Sequence, residues 1–371
     1  MDNEEKTSSP NASSDSGEKL PGTKKKLLWS LVSVVIAVLT VWAVMSQGNS
    51  FSLADFWAQI QSASKGWIVS AVVSMICYIC FEAAAILCIL REFGYKMSFR
   101  KGFVYSSADI YFSAITPSAT GGQPASAYFM HLDGIPTTLA AVVLLANLLM
   151  YSCSTVGMGI LSTAVAPLTI TRFSTFSKVL IILGFIIQIA LLILIFLIIT
   201  KEKIILTLGN GIISFLGKIK IIRHTDAKKE KFSRSVDDYK QHASVVKGRR
   251  KMMGKVLIFN LLQRISQILV TVFTYLALGN PLHALRAFSL QTYISIGAYC
   301  IPIPGSMGIT DYLMIDGFSR IEDVPLVMNE SRTLSFELLS RTLSFYSCIL
   351  ICGITVLVTY LIRRNRRNSK K

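Results

Sequence analysis

Six apolar stretches of this chain are each long enough to cross a lipid bilayer as an α-helix. The hydrocarbon core is about 30 Å thick and a helix rises about 1.5 Å per residue, so a span needs roughly 18 or more apolar residues. Of the 371 residues, 52% are hydrophobic and 16% are charged, which excludes an ordinary soluble globule. The sequence predicts an all-α polytopic membrane protein with spans at 27–46, 66–90, 137–161, 178–199, 256–278 and 335–362.

Clustered Lys and Arg predict the orientation of these spans, because positive loops stay in the cytoplasm. Residues 201–255 hold fifteen Lys and Arg against five Asp and Glu. We expect this linker to be a solvated cytoplasmic loop, with contact to anionic headgroups as the alternative. We also expect a disordered cytoplasmic tail at 1–23, a membrane domain at 24–365 and a basic cytoplasmic tail at 366–371.

Two breaks rich in Pro and Gly interrupt apolar sequence. The first runs from Thr116 to Pro124 and the second from Pro302 to Gly308. Each lies about half a membrane thickness into hydrophobic sequence, where irregular backbone is tolerated only against protein or a water-filled cavity. Both breaks are therefore candidates for a substrate path.

Loop charge predicts that the first break is the tip of a re-entrant hairpin. Span 66–90 ends at the basic loop 91–101, and span 137–161 must leave the cytoplasm for span 178–199 to return to it. The segment 102–136 then begins and ends in the cytoplasm, with half-length pieces Phe103 to Ile115 and Ala125 to Leu132. The alternative is two short spans joined by a tight turn at the far surface.

The same reasoning predicts a second hairpin at 282–333 that enters from the opposite face. Its half-length pieces are Ala284 to Tyr299 and Ile309 to Phe318. A unit of span, hairpin and span thus occurs twice with inverted topology. Secondary transporters use this arrangement to place a site near the midplane between repeats.

The residues of the breaks are suited to binding an anion. We expect Gly121 and Gly122, and again Gly305 and Gly308, to adopt conformations closed to other residues. Pro124 suits the first turn of the next helix, and two helix N-termini then face the breaks, where phosphate or carboxylate binds readily. In the second break, Ser306 or Thr310 is the expected N-cap and Asp311 lies in the first turn. Further polar or turn-forming candidates are Thr116, Ser118, Thr120, Gln123 and Pro304. The alternative is that these groups only satisfy the broken backbone.

Ionisable residues inside the apolar segments are a second set of candidates. Each costs about 2.5–3.5 kcal/mol at the bilayer centre, so they seldom face lipid. Glu82 and Arg264 lie at similar depth and are predicted to pair between the repeats. Glu337 and Arg341, four residues apart, can pair with each other. Alternatively, Arg264 or Arg341 holds a lipid phosphate while Glu82 or Asp109 recognises a cationic group.

No motif in the sequence indicates an active site. G-x-S-x-G, H-E-x-x-H and Walker-type loops do not occur, and the seven cysteines lie in or beside apolar segments without neighbouring histidines. We expect no metal and no cofactor.

The string TPSATGGQP followed by ASAYFM, and the later string PIPGSMGITDYLMI, carry a family resemblance. Together with the order of the spans, they resemble the membrane domain of lysylphosphatidylglycerol synthases and their flippase-like relatives over about residues 25–365. The second string departs from the family, which more often has Gly at the position of Ser306 and Glu at that of Asp311.

The resemblance implies a translocase for a phospholipid or glycolipid headgroup in a bacterial cell membrane. In full-length members a separate C-terminal domain transfers lysine from lysyl-tRNA to phosphatidylglycerol; nine residues follow the last predicted span, so we expect the translocating part only. The expected partner is a membrane lipid, with nucleic acid involved only through a separate transferase, and a homodimer is an open alternative. Two other functions stay open: a phosphatidylglycerol lysyltransferase, conferring resistance to cationic antimicrobial peptides, and an ion-coupled solute carrier.

Overall fold

A computed structural model describes residues 53–201, 236–279 without 237 and 247, 283–320 and 330–368, and three isolated residues between 202 and 235. In these residues the regular structure is entirely helical. The α-helices whose bounds are described are α1 Leu53–Ser62, α2 Lys65–Glu92, α3 Phe99–Ile115, α4 Gly122–Leu132, α5 Thr137–Val165, α6 Thr175–Thr200, α7 Arg250–Ala277, α8 Ala284–Gly297, α9 Ile309–Ser319, α10 Glu330–Arg341 and α11 Ser347–Asn368.

Five segments are long and apolar enough to cross a membrane: Lys65–Glu92, Thr137–Val165, Thr175–Thr200, Arg250–Ala277 and Thr333–Asn365. They correspond to five of the six predicted spans. The remaining span, 27–46, and the predicted tail 1–23 lie outside the described residues. In the described part of the linker 201–255, residues 238–246 are helical and bury Tyr239, Ala243 and Val246 in the core, so the prediction of a solvated loop is wrong for this part. The last segment is α10 and α11, joined by a π-helical turn at Thr342–Tyr346.

The first break separates α3 and α4, two short helices that pack against each other. Helix α3 has 17 residues and α4 has 11, and both are shorter than the roughly 20 residues that a full transmembrane helix needs. The chain comes back to its starting level, because Lys101 near the start of α3 lies 3.1 Å from Asp133 just after α4. We call α3 and α4 the first helix pair.

The second break separates α8 and α9, which also pack against each other and form the second helix pair. The far end of this pair lies beside the connection between α5 and α6, where Asp316 accepts a hydrogen bond from the Ser174 backbone at 2.8 Å. The start of α8 belongs to the same end, because α8 contacts the 3-10 turn Pro167–Arg172 of that connection.

Helix α5 shows that the two pairs enter the bundle from opposite ends. It begins just after Asp133, at the base of the first pair, and its 29 residues span about 43 Å before the connection that holds the base of the second pair. The two breaks meet between these bases, since the turn Pro117–Ala119 contacts the turn Pro304–Ser306. Tertiary packing therefore brings the two breaks together, between the two ends of the bundle.

Two kinds of apolar surface support this arrangement. Inside, α2 and α7 pack along each other and large side chains such as Tyr105, Tyr293 and Phe336 are fully buried. Outside, only 22% of the most apolar 18-residue stretch of α6 is buried, and Ile182 and Ile186 are each more than half exposed. A soluble monomer rarely exposes an apolar face of this length, whereas a helix against lipid does.

Candidate functional site

The first break is closed by hydrogen bonds of its own residues. The Thr116 hydroxyl donates to the Phe112 carbonyl at 2.6 Å and accepts from the Gly121 backbone at 2.9 Å. The Thr120 hydroxyl donates to the Pro117 carbonyl at 3.0 Å. Ser118 lies in the same turn, but its side chain is outside the described set. Thr116 and Thr120 thus bond to the broken backbone, as one of the two interpretations of the sequence expects.

The prediction of special glycine conformations is wrong for the first break. Gly121 has φ −82 and ψ −21, an ordinary helical conformation, and Gly122 begins α4; the left-handed residue of the turn is Ala119, with φ 54. The two glycines are needed for close approach instead. A Cβ on Gly122 would lie 2.1 Å from Asp109 Oδ1, and one on Gly121 would lie 2.7 Å from Thr116 Cγ2.

The same prediction is confirmed for the second break, where Gly305 has φ 60 and Gly308 has φ 79. The expected cap is wrong, however. Gly308 is the N-cap of α9, and its N–H donates to Asp311 Oδ2 at 2.8 Å, while the Thr310 hydroxyl donates to the Ser306 carbonyl. Asp311 lies in the first turn as predicted, and its carboxylate accepts from the N–H of the cap residue.

A pair of carboxyl groups lies beside the first break. Glu82 of α2 and Asp109 of α3 are 5% and 6% exposed, and their side chains interact with each other. Two amides donate to the pair: Gln263 Nε2 to Glu82 at 3.1 Å and Gln123 Nε2 to Asp109 at 2.8 Å. Ser113 adds a hydrogen bond of 3.2 Å to Asp109. The pair therefore joins α2, α3, α4 and α7 at the tip of the first helix pair.

The predicted ion pair between Glu82 and Arg264 does not form. Arg264 Nη1 donates to the Tyr151 hydroxyl at 2.8 Å, which lies 2.7 Å from the Tyr299 hydroxyl just before the second break. Gln263 takes the place at Glu82, because consecutive residues of a helix point about 100° apart and cannot both face one neighbour. Similar depth, as read from the sequence, leaves the direction of each side chain open.

A second pair of carboxyl groups lies beside the second break, and this one has a cation. Arg341 Nε is 2.8 Å from Asp311 Oδ1, and Glu337 contacts Asp311. Within the described residues, Glu337 and Arg341 do not form the predicted salt bridge with each other. The guanidinium also lies over the Phe345 ring, with its carbon 4.6 Å from the ring centre.

Arg341 has a hydrogen-bond donor that is not paired within the described residues. It is 7% exposed, and its Nη2 has no hydrogen-bond partner among the described residues. Beside it, the Phe345 ring packs so closely on Gly305 that a Cβ there would lie 2.2 Å from Cζ. By contrast, both helix N-termini at the breaks already face carboxyl groups of this chain, Asp109 at α4 and Asp311 at α9. The guanidinium, more than the helix ends, is therefore the group available to an anion.

The sequence did not single out Gln263, Tyr151, Tyr299 or Phe345. Polar uncharged residues in apolar helices carry a weak signal, since they often only bond between helices. Gln263 stands next to a charged residue in a span, which was the one available indication.

The base of the first helix pair holds a separate charged cluster. Asp133 accepts from the Tyr105 hydroxyl at 2.7 Å and pairs with Lys101 and with Arg363 of α11, the latter at 2.9 Å. Burial raises the pKa of Asp133, but these hydrogen bonds and charges outweigh it and lower the pKa below its usual value. The cluster fastens the end of α11 to the base of the first helix pair.

The helical bundle, its lipid-type outer surface and the buried charged side chains beside its two breaks define an all-helical multi-pass membrane protein. The family model described as "Lysylphosphatidylglycerol synthase TM region" matches residues 30–352. The chain belongs to this family, as the two motif strings indicated. No curated protein matches it.

Proposed function

We propose that this protein is a lipid translocase that moves an anionic or aminoacylated phospholipid or glycolipid headgroup between leaflets. The observation that carries the proposal is the meeting of two breaks from opposite ends of the bundle, beside a buried arginine with an unused donor. A site between two such breaks can be exposed to either side by small movements of the helix pairs, which is how inverted-repeat transporters work.

In the proposed arrangement six spans cross a bacterial plasma membrane, and the two helix pairs are re-entrant hairpins. Both termini are cytoplasmic. The base of the first pair holds Lys101 and contacts Arg363 of the basic C-terminal segment, which supports a cytoplasmic entry for this pair. The base of the second pair, at the other end of α5, is then external.

We assign the phosphate of the headgroup to Arg341 and a cationic group, where the headgroup has one, to Glu82 and Asp109. A guanidinium binds phosphate through paired N–H donors, and a carboxyl pair without a cation suits an ammonium group. Ile301 and Ile303 at the second break are 38% and 39% exposed, which supports a path along which the acyl chains stay in lipid while the headgroup enters.

The test is reconstitution into vesicles with labelled phosphatidylglycerol, its lysyl ester and a lipid-linked sugar, measuring movement between leaflets. Arg341→Lys keeps the charge but loses the planar fork, so transport should fall at least about tenfold. Arg320→Gln, which removes an exposed arginine paired with Asp316, is the control and should transport normally.

Absence of transport for every lipid would refute the translocase. Transfer of lysine from lysyl-tRNA to lipid by the purified chain would instead establish the transferase. Transport of a lipid unaffected by Arg341→Lys would leave the translocase and remove Arg341 as the phosphate ligand.

A further inference from the structure

The first break has more hydrogen-bond acceptors than donors. Glu82 and Asp109 supply four carboxyl oxygens, and the amides that donate to them leave their own oxygens unpaired: Gln263 Oε1 and Gln123 Oε1 have no partner among the described residues. Gln263 is only 1% exposed and its amide lies at Glu82, so the unpaired oxygen belongs to this buried cluster. An excess of buried acceptors calls for a ligand that carries hydrogen and positive charge.

None of the surrounding groups supplies that charge. The titratable side chains that interact with Glu82 are Tyr78 of α2, Tyr151 of α5, and Cys348 and Cys352 of α11. Arg264 of α7 and Tyr299 before the second break come next in this set, because both contact the Tyr151 hydroxyl. The cation of this set, Arg264, is directed to Tyr151 and Gln267. Among the salt bridges of the described residues none reaches Glu82 or Asp109.

The second break shows the contrast. Of its two carboxyl groups, Asp311 has Arg341 Nε at 2.8 Å, and Glu337 contacts Asp311. Two contacting carboxyl groups in a low-dielectric interior cannot both be ionised without a cation, so one of them holds a proton when the site is empty. The first break therefore needs a proton on one of its carboxyl groups, whereas at the second break Arg341 supplies the compensating charge.

We propose that the carboxyl pair Glu82 and Asp109 is a proton site that exchanges its proton for the ammonium group of the headgroup. When the ammonium enters, the carboxyl proton leaves to water and both carboxylates face the new cation; when the ammonium leaves, a proton returns. Lipid and proton then move in opposite directions across the membrane. This inference rests on the proposed translocase and adds its coupling ion.

The sign of the coupling follows from the exchange. A proton entering from the acid side displaces the ammonium there, so an aminoacylated lipid accumulates in the leaflet that faces the acid compartment. Exchange of one proton for one singly charged headgroup carries no net charge. The leaflet ratio at equilibrium should therefore change roughly tenfold for each pH unit, independently of membrane potential.

The test uses the full chain in vesicles of neutral lipid with a trace of the labelled lysyl ester of phosphatidylglycerol. A step of one pH unit is set across the membrane in either direction, and the leaflet ratio is measured against protein-free vesicles. Labelled phosphatidylglycerol, which has no ammonium, is the lipid control. Glu82→Gln and Asp109→Asn are the variants, and Glu92→Gln is the matched control, since Glu92 is on the same helix and pairs with the exposed Arg249.

We expect the lysyl ester to follow the pH step with wild-type protein and with Glu92→Gln, and the phosphatidylglycerol ratio to stay at its protein-free value. Either carboxyl variant should abolish the response to the pH step. Transport of the lysyl ester that is equal with and without the step would overturn the coupling and leave the translocase. A response to a sodium step but not to a pH step would also overturn it. A folded Glu82→Gln or Asp109→Asn variant that keeps the response would overturn the assignment to this pair. If one variant fails to fold, the other variant and the wild-type response still decide the outcome.

Discussion

Adding one methyl group at Gly122 should separate the two helices of the first pair. An alanine Cβ would lie 2.1 Å from both Asp109 Oδ1 and Ser113 Oγ and 2.5 Å from the Asp109 carbonyl oxygen. The two side chains can rotate away, but the carbonyl belongs to α3 itself, so α3 and α4 must move apart. Asp109 is thereby pushed from its contact with Glu82, and the tip of the pair loses its close packing.

The magnitude follows from the nature of the clash. Overpacking of a tight contact costs about 1–3 kcal/mol, and the backbone contact places Gly122→Ala in this range. Gly157→Ala is the matched control, since Gly157 lies in α5 with nothing within 4 Å of the added Cβ. Alanine is the better helix former by about 0.5–1 kcal/mol, so this control should be neutral or slightly stabilised.

Thermal unfolding in detergent and lipid transport in vesicles, measured on both variants, test the reasoning. We expect Gly122→Ala to lower the unfolding temperature and to reduce transport at least about tenfold, while Gly157→Ala leaves both near wild type. Equal unfolding temperatures and equal transport for the two variants would refute the close contact of α3 with α4 and its importance at the break.

Two further predictions concern the second break and the base of the first helix pair. Gly305→Ala should lower the unfolding temperature, because its left-handed backbone costs about 1–2 kcal/mol with a side chain and the added Cβ also meets Phe345; adding Phe345→Ala should therefore restore part of the loss, whereas the loss caused by Gly308→Ala, whose Cβ meets nothing within 4 Å, should not be restored. Equal restoration of the two glycine variants by Phe345→Ala would contradict the Phe345 contact. Asp133→Asn should cost about 2–3 kcal/mol at neutral pH because a charged acceptor with three partners is lost. Since the pKa of Asp133 is lowered on folding, its contribution is complete above the unfolded value of about 3.9 and is lost as the pH falls through the folded pKa. The difference in unfolding temperature between wild type and Asp133→Asn should therefore shrink in acid, and a constant difference down to pH 2 would contradict this.

Much of the helical layout was predictable because hydrophobicity and helix length are local properties. The first break was expected between Ile115 and Ala125, and the structure ends α3 at Ile115 and begins α4 at Gly122. For the second break, α9 begins at Ile309 as expected. Proline and glycine end helices through their own backbone constraints, so their effect needs no tertiary contact.

The partners of the buried charges were not predictable in the same way. Glu82 and Arg264 have matching depth, yet Gln263 reaches Glu82 and Arg264 turns to Tyr151. Which partner a helical residue faces depends on rotation about the helix axis, and one residue changes that direction by about 100°. Likewise, Arg341 forms its ion pair with Asp311 of α9, although Glu337 is only four residues away in sequence.

The sequence by itself determined that this chain is helical and membrane-spanning, where its helices break, and to which family it belongs, because apolar run length, prolines, glycines and motif strings are all read along the chain. Only the tertiary structure decided that the two breaks meet, that one carboxyl pair has an arginine and the other has none, and that the glycines of the first break allow close packing. The physical reason is that hydrogen bonds and ion pairs depend on distances of about 3 Å between residues far apart in sequence, which helix packing and rotation determine.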